Sequence, residues 1–225
     1  MDARSVLVVD VGGSKVKAVL GGGDERRRFE SGPELSAEAM VEQVRELVSD
    51  WTYEAVSVGV PAQVRGSRVV HEPFNLGGGW AGFDFAAAFE RPTVVVNDAV
   101  MQAVGSYEGG RMLFLGLGTG FGSAMVVDWV VAPMELGHLP FRKATYEDYV
   151  GQRGRDRLGK KEWRKTVGEV VEVLTAALQP DEIVLGGGNV EHLDELPPLA
   201  RRGDNLNAFS GGFRLWDERF PVRLP

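Results

Sequence analysis

Three glycine clusters, each placed directly after a short apolar run, constrain this chain more than any other feature of its sequence. They lie at Gly12-Gly13, at residues 116–122 and at residues 186–188. Short apolar runs that end in glycine are typical of buried strands leading into tight turns. Glycine also tolerates a positive φ, and successive exposed N–H groups can form an anion nest. One such cluster is most simply a hairpin turn, but three at strand ends favour a phosphate site.

The pattern of strand, glycine turn and strand occurs twice. Residues 6–9 and 15–20 flank the first turn, and residues 112–115 and 123–127 flank the second. Apolar residues at helical spacing follow a candidate N-cap at Ser36, and they recur between residues 163 and 178. The sequence therefore predicts an α/β protein with two similar halves. We place the domains at residues 1–98 and 99–225, and we expect the last residues to pack back on the first domain.

The composition of the chain excludes several classes of function. The formal net charge is −7, which disfavours general nucleic-acid binding. There is no cysteine, so disulfides, thiolate-bound zinc and a cysteine nucleophile are excluded. The N-terminal apolar run is too short for a signal peptide, and no segment approaches the roughly 20 apolar residues that cross a bilayer. We therefore expect a soluble, cytoplasmic protein that contacts no membrane and holds no zinc.

Two carboxylates stand at the ends of predicted strands. Asp10 closes the first strand, and a buried carboxylate needs a partner, which could be turn N–H groups or a hydrated Mg²⁺ ion. Asp98 lies where a strand leads into a helix. It is either the helix N-cap or a general base that orients a hydroxyl nucleophile. In the second case Asn97 would hold a neighbouring hydroxyl group.

Glu135 and His138 form a further polar pair in an apolar setting. A metal site is disfavoured, because no cysteine or second histidine lies nearby and the HExxH pattern is absent. A carboxylate and an imidazole can instead bind adjacent hydroxyl groups of a sugar, although a lone histidine is commonly structural.

Taken in order, the motifs resemble those of the ROK-family sugar kinases over roughly residues 5 to 190: Asp10-Val-Gly-Gly-Ser14, Asn97-Asp98-Ala99, Gly116-Leu-Gly-Thr-Gly120-Phe-Gly122, Glu135-Leu-Gly-His138 and Gly186-Gly-Gly188. The third and fourth motifs are most similar to the polyphosphate glucokinase branch. The resemblance implies an actin/hexokinase-like fold, in which two α/β domains close over a ligand cleft, and it implies a homodimer.

The resemblance also implies roles for single residues. Those expected beside the transferred phosphate and its Mg²⁺ are Asp10, which would meet the ion through water, and Gly12, Gly13, Ser14 and Lys17. Those expected to cradle the donor phosphates are Gly118, Thr119 and Gly120, with Gly187 and Gly188 facing the adenosine of ATP. Those expected to hold the sugar are Asn75, Asn97, Glu135, His138 and Glu147. Asp98 would be the base.

The sequence departs from the family pattern in four places. The zinc-binding cysteine cluster of many members is absent, and the loop from Asn75 to Trp80 carries three glycines, which predicts altered geometry on the sugar side. Trp129 stands where a glycine usually follows Asp128. A type I′ turn would be strained there, so we predict a different turn. The chain is also shorter than typical members towards its C-terminus. The resemblance therefore supports nucleotide binding less strongly than sugar binding.

These motifs predict a phosphotransferase that acts on a hydroxyl group of glucose or a similar hexose. ATP and polyphosphate both remain open as donors. The basic residues between Arg153 and Lys165 would guide a polyanion or form a solvated helix face. The alternatives are a kinase for N-acetylmannosamine or fructose and a non-catalytic sugar-binding regulator. A repressor is disfavoured, because the first strand begins at about residue 6 and leaves no room for a preceding DNA-binding domain.

Overall fold

The computed structural model describes residues 5–23, 25–204 and 206–225; the first predicted domain includes residues 1–4 and 24, and the second includes residue 205, which lie outside these ranges. The first half contains β1 (Val6–Val11), β2 (Lys15–Leu20), β3 (Arg26–Glu30), α1 (Ala37–Leu47), β4 (Ala55–Val60), β5 (Val64–Arg65), β6 (Arg68–Val69), α2 (Phe85–Phe89) and β7 (Thr93–Asn97). The rest contains α3 (Asp98–Ser106), β8 (Arg111–Leu117), β9 (Phe121–Val127), β10 (Val130–Met134), β11 (Pro140–Phe141), β12 (Ala144–Thr145), α4 (Tyr146–Val150), α5 (Gln152–Leu178), β13 (Glu182–Gly186), β14 (Ala200–Arg202) and α6 (Asn207–Arg214).

The two main sheets share one topology. The strand order is β3-β2-β1-β4-β7 in the first sheet and β10-β9-β8-β13-β14 in the second. In each sheet, three strands form an antiparallel meander and two further strands add in parallel. The central strands β1 and β4 are buried along their whole length, as expected for strands covered on both faces. The predicted α/β class with two similar halves is confirmed.

Helices cover both faces of both sheets. α1 and α2 pack on the outer face of the first sheet, and α4 and α5 pack on the outer face of the second. α1 begins as predicted, with the Ser36 hydroxyl accepting the Ala39 N–H at 3.1 Å. α3 and α6 form the layer between the sheets. No helix in the described ranges combines the length and the apolar character needed to cross a membrane.

The two central helices touch through their backbones. A Cβ atom at Gly211 of α6 would lie 1.8 Å from the Met101 carbonyl oxygen of α3. A Cβ atom at Gly105 of α3 would lie 1.8 Å from the Asn207 carbonyl oxygen of α6. Each helix therefore supplies a glycine at the crossing point, and only the absence of a side chain permits this separation.

The C-terminal helix also packs on the first sheet. The buried Ser57 hydroxyl of β4 donates to the Gly212 carbonyl oxygen at 2.7 Å and accepts the Trp216 indole N–H at 2.9 Å. A Cβ atom at Gly212 would lie 2.3 Å from a methyl group of Val8. The end of the chain thus completes the core that covers β1 and β4.

Our prediction for the turn at Asp128 and Trp129 is wrong. β9 and β10 are joined by these two residues alone, and their φ values are 48° and 63°. Positive φ at both central positions is the type I′ geometry that we excluded. The Trp129 ring packs on Tyr107 at a centroid distance of 4.8 Å and on Phe220 at 5.2 Å. These contacts compensate for the strained backbone, and sequence spacing alone did not reveal them.

Candidate active site

Asp10 and Asp98 lie at the carboxyl ends of the two strands that flank β4 in the first sheet. Asp10 is the penultimate residue of β1, which pairs with one side of β4, and Asp98 directly follows β7, which pairs with the other side. The side chain of Asp10 is only 11% exposed, and its Oδ2 atom lies 3.1 Å from the Lys17 ammonium nitrogen. Lys17 is thus the partner that the buried carboxylate requires, and neither alternative drawn from the sequence named it.

Asn97, and not Asp98, is the N-cap of α3. Its Oδ1 atom accepts the N–H groups of Ala99 and Val100, and its Nδ2 group donates to the Ala62 carbonyl oxygen. The N-cap interpretation of Asp98 is therefore wrong. The Asp98 Oδ1 atom accepts the Ala99 N–H at 2.8 Å.

The environment of Asp98 raises its pKa from 3.8 to about 7. Burial disfavours the charged carboxylate most strongly, and repulsion from Asp10 and then from Glu135 adds to the effect. The Ala99 N–H bond acts in the opposite direction. A carboxylate with a pKa near neutrality is suited to accept a proton reversibly at physiological pH.

The first glycine turn lies beside this pair. The Gly12 N–H donates to the Lys15 carbonyl oxygen at 2.9 Å, which closes the turn between β1 and β2. A Cβ atom at Gly13 would lie 3.4 Å from the Asn75 Cβ atom, so the loop carrying Asn75 approaches the turn. Ser14 is exposed at its edge. Gly12 and Gly13 therefore form the turn that follows Asp10, and Asn75 contacts this turn at Gly13.

The second glycine turn is the tip of the β8–β9 hairpin, which we call the donor hairpin (residues 117–122). The Gly118 N–H donates to the Gly120 carbonyl oxygen at 3.2 Å, and Thr119 is exposed between them. A Cβ atom at Gly118 would meet no atom within 4 Å, so open space lies next to its backbone.

Glu147 contacts both this hairpin and the segment from Glu135 to His138. Its Oε2 atom accepts the Phe121 N–H at 3.0 Å, and a Cβ atom at Gly120 would lie only 2.6 Å from that oxygen. Glu147 also packs beside Gly137. Glu135 and His138 lie 3.7 Å apart at the exposed edge of the site. Burial, followed by repulsion from Glu147, raises the pKa of Glu135, while His138 opposes the change.

The third glycine cluster packs against the donor hairpin. A Cβ atom at Gly187, where φ is 83°, would lie 2.4 Å from the Leu117 carbonyl oxygen, so this glycine permits a close backbone approach. Gly188 faces open space. The buried Asn189 donates to the Gly118 carbonyl oxygen at 3.0 Å and accepts from Arg155 at 2.6 Å. Sequence reasoning did not single out Asn189, although its position directly after the glycine run was a signal.

The donor hairpin meets the helix that carries Asp98. A Cβ atom at Gly122 would lie 2.8 Å from the Ala99 Cβ atom. The hairpin of the second sheet and the carboxylates of the first are therefore brought to one place. Gly187 and Gly188 directly follow β13, the strand that pairs with β8.

The basic stretch lies on α5, which is kinked at Gly159. Four of its arginines have partners: Arg155 contacts Asn189, Arg164 contacts Asp194, Arg157 donates to the Asp148 carbonyl oxygen and Arg153 pairs with Glu147. Lys160, Lys161 and Lys165 are exposed. A cavity of about 720 Å³ lies between α5 and residues 193–198, and none of the predicted site residues lines it. This cavity is therefore separate from the pair formed by Asp10 and Asp98.

The carboxylate pair fits a hydrated magnesium ion. Within the described ranges, no group of three or more Asp, Glu, His and Cys residues is arranged to hold a metal by itself. Mg²⁺ is commonly held by one or two carboxylates together with water and substrate phosphate. Asp10 offers a buried carboxylate beside Asp98, and the repulsion that raises the Asp98 pKa is the kind that a divalent cation relieves.

Comparisons with known proteins identify the family to which the chain belongs. The model of the ROK family matches residues 6–154. The chain is 26% identical to a polyphosphate glucokinase of Mycobacterium leprae over 215 residues, which cover 85% of this chain and 65% of that protein. It is 31% identical to an N-acetylmannosamine kinase of Escherichia fergusonii over 138 residues, which cover 54% of this chain and 47% of the relative. It thus spans between about half and two thirds of these relatives.

Among solved structures, an inorganic polyphosphate/ATP-glucomannokinase from Arthrobacter sp. strain KM superposes with a TM-score of 0.81. The identity is 22%, and the match covers 92% of this chain and 96% of that one. The predicted actin/hexokinase-like fold is confirmed, as is the similarity to the polyphosphate glucokinase branch. Because the family model matches well over half of its residues, the chain belongs to the ROK family.

Proposed function

We propose that this protein is a sugar kinase that transfers a phosphoryl group to a hydroxyl group of glucose or a similar hexose. The observation that carries the proposal is the Asp98 carboxylate, which has a pKa of about 7 and lies beside both Asp10 and the donor hairpin. A general base, a second carboxylate and a glycine turn with open space are the parts that phosphoryl transfer requires.

In this proposal Asp98 accepts the proton of the sugar hydroxyl as that oxygen attacks the phosphoryl group. The N–H groups of Thr119, Gly120 and Gly13 stabilise the charge on the phosphoryl oxygens. Gly118 and Gly12, whose N–H groups close their own turns, shape the backbone around them. Asp10 would hold a hydrated Mg²⁺ ion, which neutralises negative charge on the donor phosphates when bound. Lys17 holds the Asp10 carboxylate in place at 3.1 Å.

Side chains around Asp98 would bind the sugar. Glu135 and His138 stand at the exposed edge, where they can contact adjacent hydroxyl groups. Asn75 approaches from the loop beside Gly13, and Asn97 and Glu147 complete the set. Because Asn97 already caps α3 and Glu147 already accepts the Phe121 N–H, we assign both a second role in fixing the site's shape.

We propose that the protein has two domains, residues 1–98 and 99–225, which close over the bound sugar. Each proposed domain contains one five-stranded sheet, and α3 and α6 lie between the sheets. Closure over the sugar would exclude water from the phosphoryl group and limit hydrolysis. We extend the proposal to a cytoplasmic homodimer, as the family resemblance implies.

Phosphorylation of glucose with Mg²⁺ present, measured in parallel with ATP and with polyphosphate, tests the proposal. The relatives named above include proteins described as using polyphosphate, and one described as using ATP as well. We expect glucose phosphate with at least one donor. Folded protein that binds glucose but transfers nothing from either donor would favour a sugar-binding regulator.

N-acetylmannosamine is the second candidate acceptor, because an N-acetylmannosamine kinase is among the matching relatives. The same assay with this sugar and with fructose distinguishes the candidates. A kcat/KM for N-acetylmannosamine at least about tenfold above that for glucose, which corresponds to about 1.4 kcal/mol of differential transition-state binding, would reassign the substrate.

The pH dependence of kcat/KM should report the raised pKa of Asp98. Below about pH 7 the carboxylate becomes protonated and cannot act as a base, so kcat/KM should fall about tenfold for each pH unit. Above that pH it should reach a plateau. A profile that stays flat down to pH 5 would contradict the assignment.

Replacing His138 with alanine should raise the KM for the sugar and leave the fold intact, because the exposed imidazole contributes little packing. We expect a rise of about tenfold, the cost of one hydrogen bond to a neutral group. Steady-state kinetics checks the KM, and circular dichroism checks the fold. An unchanged KM would place His138 outside the sugar site.

A further inference from the structure

The first turn of α3 is held between two glycines, one from each sheet. On the side of the first sheet, Gly59 of β4 pairs with Asp10 of β1 and with Val96 of β7. Because paired residues of neighbouring strands point to the same face, a side chain at Gly59 would project between those of Asp10 and Val96. The missing side chain leaves a slot directly beneath Asp98.

Met101 fills this slot. A Cβ atom at Gly59 would lie 2.4 Å from the Met101 Cε atom and 3.6 Å from the Asp98 Cα atom. Met101 is fully buried in the core between the sheets. The first turn of α3 therefore rests on β4, and no free space remains on that side.

Gly122 makes the matching contact from the second sheet. A Cβ atom there would lie 2.8 Å from the Ala99 Cβ atom, a separation that real Cβ atoms essentially never show. The Met101 tip can rotate, but the Ala99 Cβ atom is fixed to the helix backbone and cannot yield without the helix. Gly122 belongs to the donor hairpin, two residues after Gly120. The contact between Gly122 and Ala99 therefore determines how closely the hairpin approaches Asp98.

We propose that Gly122 and Gly59 are positioning residues that together set the distance between the Asp98 carboxylate and the phosphoryl group held by the donor hairpin. The proposal rests on the kinase function proposed above. Neither glycine contacts a substrate in this account; both act through the first turn of α3. A misplacement of about 1 Å between reacting groups can cost about a hundredfold in rate, so a contact of this kind has a large effect on turnover.

The first test is a methyl swap across the contact. Gly122→Ala should lower kcat by between about tenfold and a hundredfold while the sugar KM changes by less than about twofold. Adding Ala99→Gly to the same chain removes the opposing methyl group and should restore most of kcat. Gly168→Ala is the matched control, because a Cβ atom there meets nothing within 4 Å. A wild-type kcat in Gly122→Ala, or a swap that does not restore it, would overturn the proposal.

The second test needs no catalysis. Because Met101 opposes movement of α3 towards β4, we expect the Gly122→Ala hairpin to shift outwards. In a crystal structure of Gly122→Ala, the distance between the Asp98 carboxylate and the donor hairpin should be longer than in the wild type by about 1 Å, and the swap should restore it. An unchanged distance would reject the positioning role. A wild-type protein that phosphorylates no sugar would instead reject the proposed function.

A third test, with a second pair of variants, covers the case in which Gly122→Ala does not fold. Gly59→Ala places its new methyl group against the Met101 tip, and it should lower kcat. Met101→Ala in the same chain empties that space and should recover activity. If the kcat of the double variant does not exceed that of Gly59→Ala alone, the proposal is rejected.

Discussion

Replacing Asp98 with asparagine should lower turnover by at least about a hundredfold while the protein remains folded. The amide has nearly the same shape as the carboxyl group but cannot accept the hydroxyl proton, and a positioned general base contributes about two to four orders of magnitude. The acid limb of the pH profile should disappear from the residual activity. Steady-state kinetics with saturating donor measures both effects. Turnover within about tenfold of the wild type would remove Asp98 from the mechanism.

The same substitution should stabilise the fold at high pH. The folded-state pKa of Asp98 is about 7 against an ordinary value of 3.8, so the folded protein binds a proton that the unfolded chain releases. Stability from this group is therefore lost as the pH rises from about 4 to about 7, and asparagine avoids the loss. The melting temperature of Asp98→Asn should exceed that of the wild type at pH 8, and the difference should vanish near pH 4. A lower melting temperature at pH 8 would contradict the burial of this charge.

Replacing Gly211 with alanine should destabilise the fold by more than about 3 kcal/mol, beyond the usual range for one extra methyl group in a packed core. The new Cβ atom would lie 1.8 Å from the Met101 carbonyl oxygen, which is backbone and cannot rotate away. The crossing of α3 and α6 would have to open, and both sheets pack on these helices.

Urea denaturation measures this cost, and Gly168→Ala provides the control. Gly168 lies within α5 in open space, so alanine should stabilise the helix there by up to about 1 kcal/mol. If Gly211→Ala lowers the free energy of unfolding and Gly168→Ala raises it, the helix crossing is responsible for the cost at Gly211. A cost below about 1 kcal/mol at Gly211 would mean that the helices separate easily.

Much of the fold follows from local patterns. Short stretches of sequence predict the buried runs of β1 and β4, the N-cap at Ser36 and the apolar spacing of α5. The repeated strand, glycine turn and strand signal predicts the duplicated topology, because each copy is specified by neighbouring residues. The resemblance to a known family then assigns candidate roles along the chain.

What escaped prediction depends on residues far apart in sequence. The strained turn at Trp129 is held by Tyr107 and Phe220, which no local pattern links to it. The tight contact of Gly122 with Ala99 joins two separate motifs, and the sequence presented that glycine as part of a phosphate turn. Asn97 carried the N-cap role that we had considered for its neighbour, because the choice between adjacent polar residues depends on where the helix begins.

The packing of α6 on the first sheet has a consequence for synthesis on the ribosome. The hydrogen-bond partners of Ser57 lie 155 and 159 residues further along the chain. Until those residues emerge, Val6 and Val8 have no α6 to cover them. Contacts of such long range slow folding and leave apolar surface open to aggregation. The first half of the nascent chain therefore keeps this apolar surface open until α6 has been made.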